Sequence, residues 1–278
     1  MNIGIIGLGL MGGSFARVLK KHGHTVYAAD RSEAALKKGE LINAFDRRLS
    51  AENAGELDML IAAVFPSGFA GAIEGYLPVL KAGAIVTDFC GTKGRVVASM
   101  RRFAEKFPEL VFVGGHPMAG REYSGIEHSS INLFDRASMI LVPVNADIYA
   151  LDGLKKFFLS LGFGSVVITT AENHDGMIAY TSQLCHIVSN AFVKNKRAEA
   201  HAGFSAGSYK DLTRVARLDP EMWAGLMTEN RAELSAELGE LIDNLSKYLS
   251  ALERGDEQAL KDLLAEGNAR KNDVDGKQ

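Results

Sequence analysis

Short apolar runs alternate with amphipathic stretches along the first 170 residues of the chain. Seven of these runs have the length and β-branched content of strands. They are Ile3–Ile6, Thr25–Ala29, Met59–Val64, Ala84–Asp88, Leu110–Gly114, Ser138–Pro143 and Ser165–Thr169. Strands that alternate with helices are typical of βαβ units, so the pattern predicts an α/β domain with a mostly parallel sheet over residues 1–170.

The pattern changes after Ala171, where only helical periodicity remains. Residues 172–195 predict one long helix, apolar nearly all round and therefore buried on several sides. A second long helix is predicted over Pro220–Leu252 and a shorter one over Asp256–Glu266, and the polar end Asn268–Gln278 is expected to fray. These features predict an all-α domain over residues 171–278. So much apolar surface favours burial against a second subunit, although a self-contained helical bundle is the alternative.

Composition narrows the class of protein without identifying it. The 278 residues exceed one typical domain, and a hydrophobic content of 47% supports a substantial core. The net charge of −3 gives no reason to expect a nucleic acid or an anionic membrane as partner. Two cysteines, no apparent signal peptide and no long apolar run lead us to expect a cytoplasmic protein. The seven histidines show no metal-ligand spacing, so no metal site is predicted.

A glycine-rich turn follows the first predicted strand. Its pattern is Gly7-x-Gly9-x-x-Gly12, with Leu10 and Met11 between the last two glycines and a helical pattern behind them. Glycines at this spacing permit a tight turn, close approach of a pyrophosphate, and packing of the helix on the strand. The free N–H groups at the start of the helix attract phosphate. The turn therefore predicts a dinucleotide-binding site.

The second predicted strand ends at an acidic residue, Asp30, with Arg31 directly after it. A carboxylate at this place accepts hydrogen bonds from the adenosine ribose hydroxyls and repels the 2′-phosphate of NADP. An adjacent arginine is able to accommodate that phosphate. The pair therefore favours NAD and leaves NADP open.

His116 lies in the segment Gly114–Gly120, which is predicted to be a short glycine-lined turn after a buried strand. A histidine held there is able to exchange a proton near neutral pH, as a general base must. The alternative is a histidine that caps the turn through the backbone.

Two further segments carry candidate chemistry. Thr92 follows the fourth main strand, at the sheet edge where ligands bind, and its alternative role is the N-cap of the next helix. Arg214 lies between two long helices and is able to clamp a carboxylate through two hydrogen bonds. Its alternative role is an ion pair with Asp211 or Asp219.

Taken together, these segments resemble the prephenate dehydrogenase family, which includes arogenate and cyclohexadienyl dehydrogenases. The resemblance rests on five segments in family order: GLGLMGGS, DFCGTKG, GGHPMAGREYSG, the AENHD…SQLCH helix and KDLTRVARLDPEMW. It implies an NAD(P)-linked oxidative decarboxylation of a cyclohexadienyl substrate. The homodimer that we expect, associated through the helical domain, follows from the apolar surface of the helices.

The resemblance also implies roles for individual residues. His116 matches the base that accepts the proton of the substrate hydroxyl, and Thr92 a hydroxyl beside it. Arg214 matches the anchor of the ring carboxylate. The remaining expected substrate contacts are His186, Glu122, Lys210 and Trp223.

Several functional alternatives stay open at this point. The sequence does not show whether prephenate or arogenate is the substrate, because motif spacing does not identify the residues that would contact the substrate side chain. Another hydroxy-acid dehydrogenase would use a lysine in the helical domain, but Lys194 and Lys196 lie at the wrong end of their helix. A catalytically silent NAD-binding assembly protein is disfavoured by the joint presence of His116, Thr92 and Arg214.

Overall fold

The computed structural model describes residues 1–121 and 123–276. Eight strands form one sheet: β1 (Asn2–Ile6), β2 (Thr25–Ala29), β3 (Arg47–Arg48), β4 (Met59–Ala62), β5 (Ile85–Asp88), β6 (Val111–Pro117), β7 (Ser138–Pro143) and β8 (Ser165–Ile168). Their order is β3-β2-β1-β4-β5-β6-β7-β8. Strands β1 to β6 are parallel, β7 runs antiparallel to β6, and β8 is parallel to β7. The predicted α/β class is confirmed, and only the two-residue β3 was too short to be predicted.

Five helices connect these strands: α1 (Leu10–Lys21), α2 (Glu33–Leu41), α3 (Phe69–Ile73), α4 (Gly94–Lys106) and α5 (Ile148–Ser160). The sheet is covered on both faces. Met59 and Ile61 of β4 pack into one apolar cluster, and Leu60 and Ala62 pack into the other. Because both faces of the strand are buried, it reads as a continuous apolar run and not as an alternating one.

After β8, the described chain contains helices joined by irregular segments and no strand: α6 (Ala171–Ile178), a π-helical segment (Ala179–Leu184), α7 (Cys185–Phe192), α8 (Gly207–Thr213), α9 (Pro220–Glu229), α10 (Arg231–Arg254) and α11 (Glu257–Asp275). The predicted all-α half is confirmed. The boundary at residue 170 stays a prediction. Only Thr169 and Thr170 lie between the end of β8 and the start of α6.

Three helix predictions were wrong in detail. The first long helix is interrupted by the π-helical segment and ends at Phe192, and the second breaks at Asn230. The end of the chain is helical up to Asp275, where fraying from Asn268 was expected. Helix α11 has no buried residues, so its last turns depend on local pairs such as Lys271 with Asp275, whose charged atoms are 2.5 Å apart.

The first long helix is also less buried within one chain than predicted. Met177 is 52% exposed and Tyr180 is 58% exposed. Within the described ranges, no helix is both long enough and apolar enough to cross a membrane. The same ranges contain no group of three or more side chains that could together hold a metal ion.

Candidate active site

The glycine turn after β1 has the backbone geometry that a pyrophosphate requires. Gly7 has a φ of +94°, which a side chain would strain, and a Cβ added to Gly12 would collide with the Gly7 carbonyl. A Cβ added to Gly9 would meet nothing within 4 Å, so the space beside it is open. Gly9 is also the N-cap of α1 and provides no side-chain acceptor, which leaves the N–H groups of Leu10, Met11 and Gly12 available to phosphate.

Asp30 lies beside this turn, at the end of β2. One carboxylate oxygen accepts the backbone N–H of Leu8 at 2.6 Å, and the other accepts the N–H of Ser32 at 2.7 Å. The carboxylate is therefore held in place against the glycine turn. It lines a cavity of about 230 Å³ together with Leu8 and Gly9. Arg31 is exposed next to it. These residues fit the adenosine ribose and the pyrophosphate of a dinucleotide.

His116 lies within strand β6, and the prediction that it occupies a turn was wrong. The strand pairs with β7 as far as Pro117, with His116 opposite Ile140. Pairing with the antiparallel neighbour extends the strand across the glycines and fixes the histidine backbone. His116 is half-buried at the edge of the sheet where the parallel strands end.

A chain of hydrogen bonds joins His116 to the helical half. Its Nδ1 is 2.9 Å from Nε2 of His174, and Nδ1 of His174 is 2.7 Å from a carboxylate oxygen of Asp175. A carboxylate only accepts, so Nδ1 of His174 carries the hydrogen and its Nε2 has a lone pair. That lone pair accepts from Nδ1 of His116. Among the described residues, Nε2 of His116 has no hydrogen-bond partner, so on a neutral ring it is able to accept a proton.

The pKa values of this chain of groups agree with that arrangement. Burial, the nearby Lys93 ammonium and His174 all lower the pKa of His116 well below its usual value, so the imidazole is neutral at pH 7. Burial alone would raise the pKa of the Asp175 carboxyl. Hydrogen bonds from His174 and from the backbone N–H groups of Lys93 and Gly94 lower it overall, so Asp175 stays ionised.

Lys93 and Asp88 form an ion pair beneath His116 in which both side chains are fully buried. Lys93 Nζ also donates to the carbonyl of Gly115 at 2.7 Å. Asp88 accepts the backbone N–H groups of Gly115 at 2.9 Å and Cys90 at 2.8 Å. The pair therefore holds the strand end that carries His116 against the loop that carries Thr92.

Thr92 is not the N-cap of α4. That helix begins at Gly94, and the carboxylate of Asp175 accepts the N–H groups of Lys93 and Gly94 at 2.7 and 2.8 Å. Because Asp175 caps the helix, the Thr92 hydroxyl is not needed as a cap. It donates a hydrogen bond to Glu229 at 3.1 Å instead. Thr92 is buried.

The expected substrate contacts of the helical half gather around His186 on α7. Its Nδ1 donates to the carbonyl of Val215 at 3.0 Å, and its ring lies 4.0 Å from the ring of Trp223 on α9. Arg214, next to Val215, is exposed, and Lys210 lies one helical turn before it. Among the described residues, Arg214 forms no ion pair, so the alternative pairing with Asp211 or Asp219 is absent.

Helix α9 connects these contacts to the nucleotide-binding half. Trp223 lies on this helix, Glu229 at its end meets Thr92, and Leu226 lies beside Gly91. Glu122 falls outside the described residues. Five residues of the site were not predicted: Asp88, Lys93, His174, Asp175 and Glu229. Four of them lie in segments that carried the resemblance, which was the available signal: Asp88 and Lys93 in DFCGTKG, and His174 and Asp175 in AENHD.

The fold and the site together define a dinucleotide-binding protein that has a helical second half and a neutral histidine able to accept a proton. Residues 15–168 match the family described as prephenate dehydrogenase, nucleotide-binding domain, and residues 170–266 match prephenate dehydrogenase, dimerization domain. The chain therefore belongs to the prephenate dehydrogenase family of oxidoreductases, which confirms the resemblance.

Individual relatives carry related names. The chain is 30% identical to the prephenate dehydrogenase of Lactococcus lactis, over 95% of this chain and 74% of that protein. It is 29% identical to the cyclohexadienyl dehydrogenase of Zymomonas mobilis, over 90% of this chain and 88% of that protein. A crystal structure of prephenate dehydrogenase from A. aeolicus, in complex with hydroxyphenyl propionate and NAD+, has a TM-score of 0.82 at 27% identity and covers 99% of this chain and 98% of that one.

The buried ion pair leads to a prediction about stability. Lys93→Met leaves Asp88 charged and unpaired in the core, so the free energy of unfolding should fall by about 3–5 kcal/mol. Arg95→Met is the matched control, because Arg95 is 61% exposed in its pair with Glu229 and its loss should cost at most about 1 kcal/mol. Urea unfolding of both variants measures the difference. Equal losses would mean that the buried pair adds no more than a surface pair does.

Proposed function

We propose that this protein catalyses the NAD-dependent oxidative decarboxylation of prephenate to 4-hydroxyphenylpyruvate. One observation carries the proposal: the hydrogen bonds from Asp175 through His174 to His116 leave Nε2 of His116 as a free acceptor on a neutral ring. A dehydrogenase that acts on a hydroxyl needs such a base, since the proton and the hydride must leave separate atoms.

The reaction follows from this placement of the proton acceptor. A bound nicotinamide supplies the hydride acceptor for C4 of the substrate ring. Nε2 of His116 accepts the proton of the C4 hydroxyl, and its positive charge is shared with His174 and offset by Asp175. The bond from C1 to the carboxyl group then breaks, carbon dioxide leaves, and the electron pair of that bond moves through the ring to the C4 oxygen, which makes the ring aromatic. The resulting phenolate takes the proton back from Nε2 of His116, so the product is the phenol.

The other residues of the site would bind and orient the substrate. Thr92 would hydrogen-bond near the hydroxyl, from the loop that the buried Lys93 holds. Arg214 would bind the ring carboxylate through two hydrogen bonds, and Lys210 lies one helical turn before it. His186 and Trp223 would form the wall against the side chain of the substrate. Glu122 is proposed for the same pocket on the resemblance alone.

Substrate choice between prephenate and arogenate rests on the relatives. The Lactococcus relative carries the name prephenate dehydrogenase, and the Zymomonas relative carries the broader name cyclohexadienyl dehydrogenase, so dual specificity is the second candidate. Steady-state rates with both substrates and both cofactors on one preparation test the proposal. Comparable kcat/KM values for the two substrates would favour dual specificity, and a kcat/KM for arogenate well above that for prephenate would indicate an arogenate dehydrogenase; either result overturns the first candidate.

The cofactor proposal is NAD, with NADP as a weaker alternative. Asp30 is fixed beside the glycine turn by two backbone N–H groups and offers its remaining lone pairs to ribose hydroxyls. The negative charge disfavours a 2′-phosphate.

We also propose a homodimer that forms through the helical half. Ile242, Leu245, Leu249 and Leu252 of α10 are each more than half exposed in the single chain. Their spacing places them on one stripe of the helix, which a second copy would cover. The dimerization-domain match spans this helix.

We also propose a cytoplasmic location. The proposal rests on the two cysteines, Cys90 and Cys185, both of which are free thiols.

His116→Asn tests the base. The amide cannot accept the proton, so kcat should fall by about 10²–10⁴-fold while NAD affinity is unchanged. In the unmodified protein, kcat/KM should decline only as the pH drops below the ordinary histidine range, because the pKa of His116 is lowered and the base must be neutral. Stopped-flow absorbance of NADH formation between pH 4.5 and 9 measures both effects. Near-normal turnover by the variant would exclude His116 as the base.

His174 is proposed as a positioning residue, and two substitutions separate that role from packing. His174→Leu removes the acceptor for Nδ1 of His116, so kcat should fall roughly 10- to 100-fold, the equivalent of one charge-assisted hydrogen bond. His174→Gln restores an acceptor towards His116 and a donor towards Asp175, so it should recover part of the loss. Equal kcat in the two variants, with equally lowered melting temperatures, would indicate a structural role alone.

Arg214→Ala tests the anchor. The carboxylate is present in the ground state and in the transition state, so its loss should raise KM roughly 10- to 100-fold and change kcat little. Arg217→Ala, at a nearby exposed arginine, is the control. If KM for prephenate stays the same in Arg214→Ala, the carboxylate is bound elsewhere.

A further inference from the structure

Residues 125–130, here called the return segment, follow β6 along the chain and pack on the helices of the nucleotide-binding half. Its buried residue Ile126 packs closely on two helices, since a Cβ added to Gly13 of α1 would lie 2.8 Å from Cγ1 of Ile126 and one added to Gly39 of α2 would lie 3.2 Å from its Cδ1. The N–H of Ser130 donates to the hydroxyl of Ser14 at 2.9 Å. The return segment is therefore a fixed part of the nucleotide-binding half.

This packing places the Glu127 side chain at the adenosine end of the cofactor site. The cavity beside Asp30 is lined by Glu127 and by Lys38 of α2 as well. Lys38 Nζ lies 3.3 Å from Glu127 Oε2. Gly125 has a φ of +97°, and a Cβ there would lie 2.6 Å from the same carboxylate oxygen, so the absence of a side chain makes room for Glu127.

The charges around the cavity are two carboxylates and one ammonium. The carboxylates belong to Asp30 and Glu127, and the ammonium belongs to Lys38. The backbone N–H of Glu127 and the Lys38 ammonium lower the pKa of the Glu127 carboxyl, so it is ionised at neutral pH. The lining therefore carries a net negative charge, and its one lysine already has a partner.

We propose that Glu127 is a second determinant of cofactor choice, which acts with Asp30 to exclude a phosphate ester at the ribose 2′ position. A 2′-phosphate carries nearly two negative charges at pH 7, so an extra carboxylate in the same cavity repels it while a 2′-hydroxyl is unaffected. Glu127 also occupies Lys38, the cation in this lining that would otherwise attract the phosphate. The inference rests on the proposed dinucleotide function.

On this proposal, Arg31 by itself does not make the site suitable for NADP. Arg31 is exposed beside Asp30, but it does not line the cavity. Lys38 does line it and is neutralised by Glu127. Removal of the Glu127 charge leaves one carboxylate opposed by Lys38, with Arg31 at the rim, so the balance at the cavity becomes neutral or positive.

A matched pair of nucleotides tests the proposal without any catalytic readout. Isothermal titration calorimetry of the full chain is done with 5′-AMP and with adenosine 2′,5′-bisphosphate, which differ only by the 2′-phosphate. Glu127→Gln should raise the affinity for the bisphosphate roughly three- to ten-fold and change the affinity for 5′-AMP less than two-fold. The gain should shrink as salt is raised from about 0.02 to 0.5 M, because exposed charges are then screened.

Further variants test whether the gain in bisphosphate affinity depends on the pair of Glu127 and Lys38. Lys38→Gln combined with Glu127→Gln should abolish most of the gain, whereas Lys37→Gln in place of Lys38→Gln should leave it intact, since Lys37 is on the same helix but does not line the cavity. Glu74→Gln controls for the loss of one distant carboxylate. Thermal melts check that each variant is folded, and Gly125→Ala, which displaces the carboxylate, provides a second route to the same gain.

The outcomes are distinguishable. Unchanged bisphosphate affinity in Glu127→Gln overturns the role of Glu127 and leaves Asp30 as the sole determinant. A gain that persists in the double variant overturns the role assigned to Lys38. If the unmodified protein binds neither 5′-AMP nor NAD, the proposed dinucleotide function itself fails, and the assignment of Glu127 fails with it.

Discussion

The arrangement of the site depends on the hydrogen bonds that the carboxylate of Asp175 accepts. It accepts the first N–H groups of α4 from the nucleotide-binding half and the Nδ1 hydrogen of its neighbour His174. One ionised group thus caps a helix, joins the two halves of the chain and sets the tautomer of a histidine pair. A neutral asparagine could not do all three, because its one oxygen accepts at most two hydrogen bonds and its NH2 group would face a third donor.

A second buried charge works with this contact. The Lys93–Asp88 pair has no exposed surface, and such a pair stabilises a fold less than apolar packing of the same volume would. Its place directly beneath Gly115 and His116 accounts for its presence better than stability does. Burial lowers the pKa of His116 and the ammonium lowers it further, and Asp88 fixes the backbone on both sides of the ligand edge. The charge therefore maintains a neutral base at some cost in desolvation.

The sequence was sufficient for the α/β half, because buried strands and the glycine turn leave a local pattern of apolar runs and fixed spacings. His116, Thr92 and the glycines could be named for the same reason. Their surroundings could not. Whether His116 ends a strand depends on pairing with β7, and whether Thr92 caps α4 depends on Asp175, which lies 83 residues further on. Partners brought together by tertiary packing leave no periodic trace.

The two breaks in the predicted long helices occur where the helical half meets this site. Asn230, at the break between α9 and α10, donates to the carbonyl of Asp175 at 2.9 Å and to the side chain of Gln183 at 2.8 Å. Gln183 lies in the π-helical segment, which often marks functional positions in helices. Apolar periodicity alone favours continuous helices through both places. The interruptions instead serve the buried polar groups that position Asp175, so the failures of the helical pattern point to the same residues as the chemistry does.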